Sequence, residues 1–158
     1  MSGAAVVPRR GTPVSSAASA ALAVVVAVLS LSACSEPAAT TGEPTALTTA
    51  ALEAKITRME DGLGSICFAT GMGAITAIFL TLLRAGDHVV ASRYVFGNTN
   101  SLLATLKNFG IEVTLVDATA LAHVAAAVQP NTRLVFVETI ANPRTQIADL
   151  KRIGDLCR

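Results

Sequence analysis

The residues best suited to chemistry fall in three short stretches of the chain. The first is Thr70-Gly71-Met72-Gly73, which stands ahead of an apolar run. Glycines let backbone N–H groups approach an anion, and a helix behind them adds the positive end of its dipole. Such a loop suits a phosphate. Its spacing is not a dinucleotide fingerprint, because Thr76 stands where the third glycine belongs, and no Gly-Lys-Ser/Thr follows as in a P-loop. The second stretch is Arg93-Tyr94-Val95-Phe96-Gly97-Asn98-Thr99, where an aromatic beside a glycine suits stacking on a flat ring. The third is Glu138-Thr139-Ile140-Ala141-Asn142-Pro143, which offers a carboxylate and an amide as hydrogen-bonding partners for a cofactor. Taken singly, each has a plainer reading: a tight strand-to-helix turn, a packing aromatic, and strand-end capping with Asn-Pro turn chemistry.

To act together these stretches must be carried to one edge of a scaffold, and the text between them predicts one. Leu52, Ile56 and Met59 recur at helical spacing, with Glu53, Lys55, Arg58 and Glu60 between them, and Gly62 and Gly64 end that helix. Ser65 to Ala69 reads as a short buried strand and residues 70–73 as a turn. Ala74 to Leu83 reads as an apolar helix, His88 to Ser92 as a strand, and Asn100 to Phe109 as a helix stopped by Gly110. Ile111 to Val116 is a strand, Leu121 to Val128 a short helix, Arg133 to Glu138 a strand, and 147–158 a last helix. Strands separated by helices of this length pair in parallel with right-handed crossovers. Val89-Val90 and Leu134 to Val137 are unbroken apolar runs, as strands covered on both faces require. The fold class is therefore α/β, a mostly parallel sheet with flanking helices, whose ligands bind beyond the carboxyl ends of the strands.

Composition narrows the partners. A net charge of +1 gives no basic footprint, so nucleic acid is not suggested. Cys34, Cys67 and Cys157 share no metal-type spacing and frame no disulfide pattern. His88 and His123 have no metal-like partner at suitable spacing and read as structural or surface residues, and Cys67 reads as a small buried hydrophobe. Residues 1–47 differ from the rest: Arg9 and Arg10 precede an uncharged apolar run, then Leu31-Ser32-Ala33-Cys34, then a polar stretch. That order is a signal peptide's, and it resembles a bacterial lipoprotein signal in which Cys34 is acylated. A chance Ala- and Val-rich text, or a mis-started or frame-shifted reading, fits the same residues. The run is short of the roughly 20 residues a spanning helix needs, so an anchored chain fits it better than a spanning one.

Residues 48–158 resemble the cystathionine γ-synthase-like family of pyridoxal 5'-phosphate (PLP) enzymes, also called the Cys/Met-metabolism enzymes. The matching text is Leu52-Glu53, Ala69-Thr70-Gly71-Met72-Gly73-Ala74-Ile75, Ala85-Gly86-Asp87-His88-Val89-Val90 and Phe96-Gly97-Asn98-Thr99. It continues through Asn131 to Glu138, Asn142-Pro143 and Asp149. The resemblance implies a partial large domain of the aspartate-aminotransferase-like PLP fold, a cytoplasmic location, a homo-oligomeric full-length enzyme and a small amino-acid substrate. The implied activity is a lyase or transferase of transsulfuration, cystathionine γ-synthase-like or homoserine-ester sulfhydrylase-like. By the same resemblance Gly71 and Met72 offer backbone N–H groups to the PLP phosphate. Phe96 takes the place of the aromatic, usually Tyr, that stacks on the pyridine ring, and keeps the stacking without the hydroxyl. Asn142 lies near the ring hydroxyl, and Glu138 organises its loop rather than reacting.

This text departs from the family at both flanks. The Tyr-x-Arg segment that reaches a neighbouring subunit's phosphate has no counterpart before Thr48. The Asp that pairs with the pyridinium nitrogen and the Schiff-base Lys belong beyond the matched text. The chain's three lysines, Lys55, Lys107 and Lys151, fall on helices and read as solvated surface. No residue is therefore assigned a catalytic role, and residues 48–158 are expected to be a truncated piece, inactive alone. A partial sheet is also expected to leave an unpaired edge and apolar faces exposed. The residues admit two other classes of protein: a non-catalytic, lipid-anchored protein, motivated by Leu31 to Cys34, and a dinucleotide-binding domain. The second is disfavoured by Thr76 and by the lack of an acidic residue ending the second strand.

Overall fold

The computed structural model describes residues 2–6 and 49–157. Cys34 and the rest of the signal-like segment beyond Val6 lie outside the described residues. In chain order the elements are β1 (Ser2–Val6), α1 (Thr49–Met59), α2 (Gly71–Leu82), β2 (His88–Ser92), α3 (Gly97–Leu106) and a 3-10 turn at Lys107–Phe109. They continue with β3 (Glu112–Val116), α4 (Leu121–Ala127), β4 (Thr132–Glu138) and α5 (Leu150–Leu156). The sheet order is β1-β4-β2-β3, with β2 parallel to both β3 and β4. The parallel core and its helices thus match the expected α/β class.

Alternation along the strands sorts the side chains into two layers. Val89, Ala91, Leu134 and Phe136 point to the face covered by α2 and α3, where they meet Ile75, Phe79, Leu103 and Leu106. Val90, Val116, Val135 and Val137 point to the other face, against Val124 of α4 and Ile153 of α5. On the first face Phe79 and Phe136 pack edge to face with ring centroids 5.1 Å apart, a favoured arrangement for two ring quadrupoles. Every residue of β2 is buried, as a strand flanked on both sides and covered on both faces must be.

Several elements differ from the sequence reading, each for a local reason. The helix read from Ala74 starts at Gly71, because Thr70 is extended and its hydroxyl accepts the Gly73 N–H. That is an N-cap, so the glycines form the first helical turn rather than a free turn. Likewise α3 starts at Gly97, and α5 is shorter than read, opening at Asp149, whose carboxylate accepts the Arg152 N–H. Gly110 ends the 3-10 turn at φ 73°, a left-handed conformation that suits glycine. Ser65 to Ala69 is not a strand. No described strand lies beside it, and the Cys67 N–H turns instead to the Glu53 side chain at 2.7 Å. Cys67 is accordingly half-buried and not a core residue.

The described sheet keeps unpaired edges, as expected of a partial sheet, but neither of them is that of β4. Residues 2–6, inside the segment read as signal-like, pair antiparallel along β4 from Ser2↔Glu138 to Val6↔Leu134. Strand addition needs only backbone donors and acceptors, so apolar periodicity does not announce it. The sheet edges left unpaired among the described strands are the outer sides of β1 and β3.

Candidate functional site

Strand topology fixes where a ligand crevice opens. The chain leaves β2 through α3 on one face, and it leaves β4 towards α5 on the other. Adjacent parallel strands whose exits diverge in this way leave a cleft beyond their carboxyl ends. The loop after β2 carries Phe96 and the loop after β4 carries Asn142, so both predicted ring contacts belong to the two walls of this cleft.

The second stretch is pinned at both ends and open between. Val95 and Thr99 are buried, whereas Phe96, Gly97 and Asn98 are exposed, and the Phe96 side is 49% accessible. Phe96 is the N-cap residue of α3 and its side chain makes no cap hydrogen bond. Its backbone N–H donates to Glu138 Oε1 at 2.9 Å, across 42 residues of sequence. Glu138 therefore ties the loop that carries Phe96 to the end of β4.

The first stretch joins the same assembly through Met72. Thr99 at the start of α3 places its hydroxyl 3.9 Å from Met72 Sδ, and Met72 also leans on the core beside Ile75 and Phe79. The first turns of α2 and α3 are thereby held side by side. Gly71 and Met72 occupy the first two positions of α2, where an α-helix has no internal acceptor for the N–H groups. Thr70 has already satisfied the Gly73 N–H, so the donors left to an anion are those of Gly71 and Met72. A phosphate beside them and a flat ring beyond it fit this donor set and the open Phe96 ring.

Asn142 sits in a tight excursion after β4. Ala141 N–H donates to Gln146 O at 2.8 Å, Thr145 N–H donates to Ala141 O at 2.7 Å, and Ile140 bridges Ile147. The Asn142-Pro143 peptide is cis and the Asn142 side chain is exposed. Thr99 thus ties Met72 to the helix that Phe96 opens, and Glu138 ties Phe96 to the end of β4, while Asn142 shares the edge without a hydrogen bond to them. Thr70, Thr99 and the reach of Glu138 were not foreseen. Thr70 alone carried a signal, as a hydroxyl residue just ahead of an apolar helix.

Other polar groups lie outside this set of donors. Asp117, at the end of β3, accepts from the Thr119 hydroxyl and N–H and from Tyr94 Oη at 3.2 Å. The Thr119 bonds chiefly, with lesser help from Tyr94 and the charge on His123, hold its carboxyl below the usual carboxylate range. His88 is fully buried at the opposite end of β2, between Thr132 Oγ1 at 2.7 Å and Thr114 Oγ1 at 2.9 Å. Burial pushes its imidazole pKa down, partly opposed by Glu112. Burial likewise pushes the Cys157 thiol up. Lys55, Lys107 and Lys151 are all exposed, the last 2.7 Å from Asp155. Among the described residues no cluster suits a metal ion, and no described helix is long and apolar enough to cross a membrane.

Residues 40–158 match the family model described as Cys/Met metabolism PLP-dependent enzyme. An L-methionine gamma-lyase of Fusobacterium nucleatum subsp. polymorphum is 44% identical over 110 residues, covering 69% of this chain and 28% of that protein. The cystathionine gamma-lyase of Bacillus subtilis is 39% identical over 112 residues, covering 70% of this chain and 29% of that one. Among solved structures, cystathionine gamma-lyase from Lactobacillus plantarum superposes with a TM-score of 0.65 at 41% identity, over 68% of this chain and 28% of that one. An O-acetylhomoserine sulfhydrylase of Wolinella succinogenes gives 0.64 at 41%, over 72% and 32%. The chain spans less than a third of the length of these relatives.

Proposed function

The chain belongs to the Cys/Met metabolism PLP-dependent enzyme family, and from that premise we propose that it carries the phosphate- and ring-contacting part of a sulfur amino-acid lyase or transferase. The substrate would be a small amino acid, handled by a cytoplasmic homo-oligomer, with the covalently linking lysine outside these residues. The observation that supports this most is the chain of contacts from Met72 to Thr99 and from Phe96 to Glu138. It ties the start of α2, an open aromatic ring and the end of β4 to one cleft, which is the arrangement this reading needs.

When bound, PLP supplies an electron sink for the substrate's α-carbon. This chain's own part is positional. Gly71 and Met72 would donate their N–H groups to the phosphate, Phe96 would cover one ring face, and Asn142 would hydrogen-bond the ring hydroxyl. Phe96 has no hydroxyl, so it moves no proton and serves only to orient the ring and keep water from that face.

Gly71→Pro tests the phosphate cradle without breaking the helix. Proline is tolerated at the first helical position, and the preceding Thr70, at φ −142° and ψ 151°, already has the extended backbone that proline requires. Equilibrium dialysis of the full chain should show saturable PLP binding that inorganic phosphate displaces. Gly71→Pro should weaken it by about tenfold, the order of one hydrogen bond to a charged group, and leave pyridoxal, which has no phosphate, unaffected. Equal weakening of both ligands would show that the anion does not sit at α2. Borohydride reduction should leave no single lysine labelled, since all three are exposed on helical elements. Specific labelling of one lysine would move the site elsewhere.

A further inference from the structure

We infer that Glu138 is a positioning residue that sets the Phe96 ring against the cofactor; the inference rests on the PLP reading above. Phe96 has few other restraints. Its side chain makes no cap bond, its ring is half exposed, and a Cβ at neighbouring Gly97 would meet nothing within 4 Å. Packing therefore leaves the 96–98 segment open, and the loop's anchors are Val95 before it and Thr99 after it, both buried. Between those anchors the Phe96 N–H is held at 2.9 Å by the Glu138 carboxylate.

Glu138 is well placed to do this. It is the last residue of β4, at the top of a strand whose preceding residues are buried, so its backbone is fixed. Its carboxylate lies at the amino end of α3, where the helix dipole favours a negative charge. The bond spans the cleft between the ends of β2 and β4. Removing it would free the ring from the wall that carries Asn142 while leaving the sheet intact. Glu138 itself need not touch the cofactor.

Two measurements on the full chain separate this role from others. The first needs no cofactor: hydrogen exchange at the Phe96 amide in Glu138→Ala and Glu138→Gln. Glu138→Ala should speed exchange by about tenfold, the order of one charge-assisted bond. Glu138→Gln, which keeps an acceptor, should restore most of the protection. Unchanged exchange in Glu138→Ala would overturn the tether. The second is a double-mutant cycle on PLP affinity with Phe96→Ala, read by dialysis and by the circular dichroism of bound PLP. Glu138→Ala should weaken binding and alter the cofactor's dichroism, and adding it to Phe96→Ala should cost nothing further. Full additivity would mean that Glu138 acts apart from the ring, and would overturn the inference while the PLP reading stands. A wild-type chain that never saturates with PLP would overturn both.

Discussion

Residues 71–157 and residues 49–69 are both rich in apolar side chains, yet they settle very differently. In the first region the strands send side chains to both faces and four helices cover them, so β2 is wholly buried. In the second, α1 buries no residue. Leu63 is 98% exposed and Ile66 76%, with Leu52, Met59 and Phe68 also exposed. Apolar composition alone therefore did not make a core. The difference is partnership: an apolar stripe is stabilising only against a surface that excludes water from it. Among the described residues α1 is covered only in part, and Phe68 meets the start of α2 at Gly73 yet stays exposed. What holds them is polar: the Glu53 carboxylate on the Cys67 N–H, and the Thr57 and Ser65 hydroxyls 2.9 Å apart.

The sharpest way to break that contrast is a pair of truncations. Phe136→Ala removes a fully buried ring that packs against Phe79. It should cost about 3–5 kcal/mol, the usual range for deleting a core aromatic. Leu63→Ala should change stability by less than about 0.5 kcal/mol, as exposed positions do. Urea unfolding of the two variants measures both. A Leu63 cost approaching that of Phe136 would show that residues 49–69 pack on something in solution, and the two regions would no longer differ.

A pH titration probes the buried region through its one buried imidazole among the described residues. His88 has its pKa lowered from the ordinary 6.5 by burial. Below that value the unfolded chain binds a proton that the folded chain resists, so the unfolded state holds more protons and stability rises with pH. The contribution is complete above the unfolded value and is lost as pH falls through it towards the lower folded value. His88→Gln keeps hydrogen-bonding capacity for Thr114 and Thr132 but does not titrate. Its urea midpoint should fall less steeply on acidification than that of the wild type. Equal slopes would mean that the imidazole is solvated, and that this end of β2 is looser than its burial implies.

The same contrast explains what could be read from the sequence. Val89-Val90 and Leu134 to Val137 announced buried strands because their own composition demands cover on both faces. The three loop stretches were recognisable as family text because residue type and order survive in it. Ser65 to Ala69 misled because a local apolar run carries no information about whether a neighbouring strand exists. Residues 2–6 misled in the opposite sense: they join β4 through backbone groups, which every sequence has. The starts of α2 and α3 were displaced because glycine hides in a first helical turn, and at α2 Thr70 supplies the cap. The tie from Glu138 to the Phe96 loop was not legible, since a bond across 42 residues is set by topology and not by spacing.

The smallest effect is expected where the weaker region is tied down. Glu53→Ala removes the acceptor of the Cys67 N–H, 14 residues away. Because α1 buries nothing, losing this bond uncovers no core, and global stability should change by less than about 0.5 kcal/mol. The local consequence is larger than the global one. Segments with few buried contacts open on their own, at a free energy well below that of global unfolding. Exchange at the Cys67 amide should therefore rise about fivefold to tenfold in Glu53→Ala, the order of one partly exposed hydrogen bond. The amides of β2 and β4 should keep their protection. If β2 and β4 lose protection together with Cys67, the stretch from 49 to 69 is part of the same cooperative unit as the sheet. In that case polar ties reach the core energetically even though its apolar side chains do not.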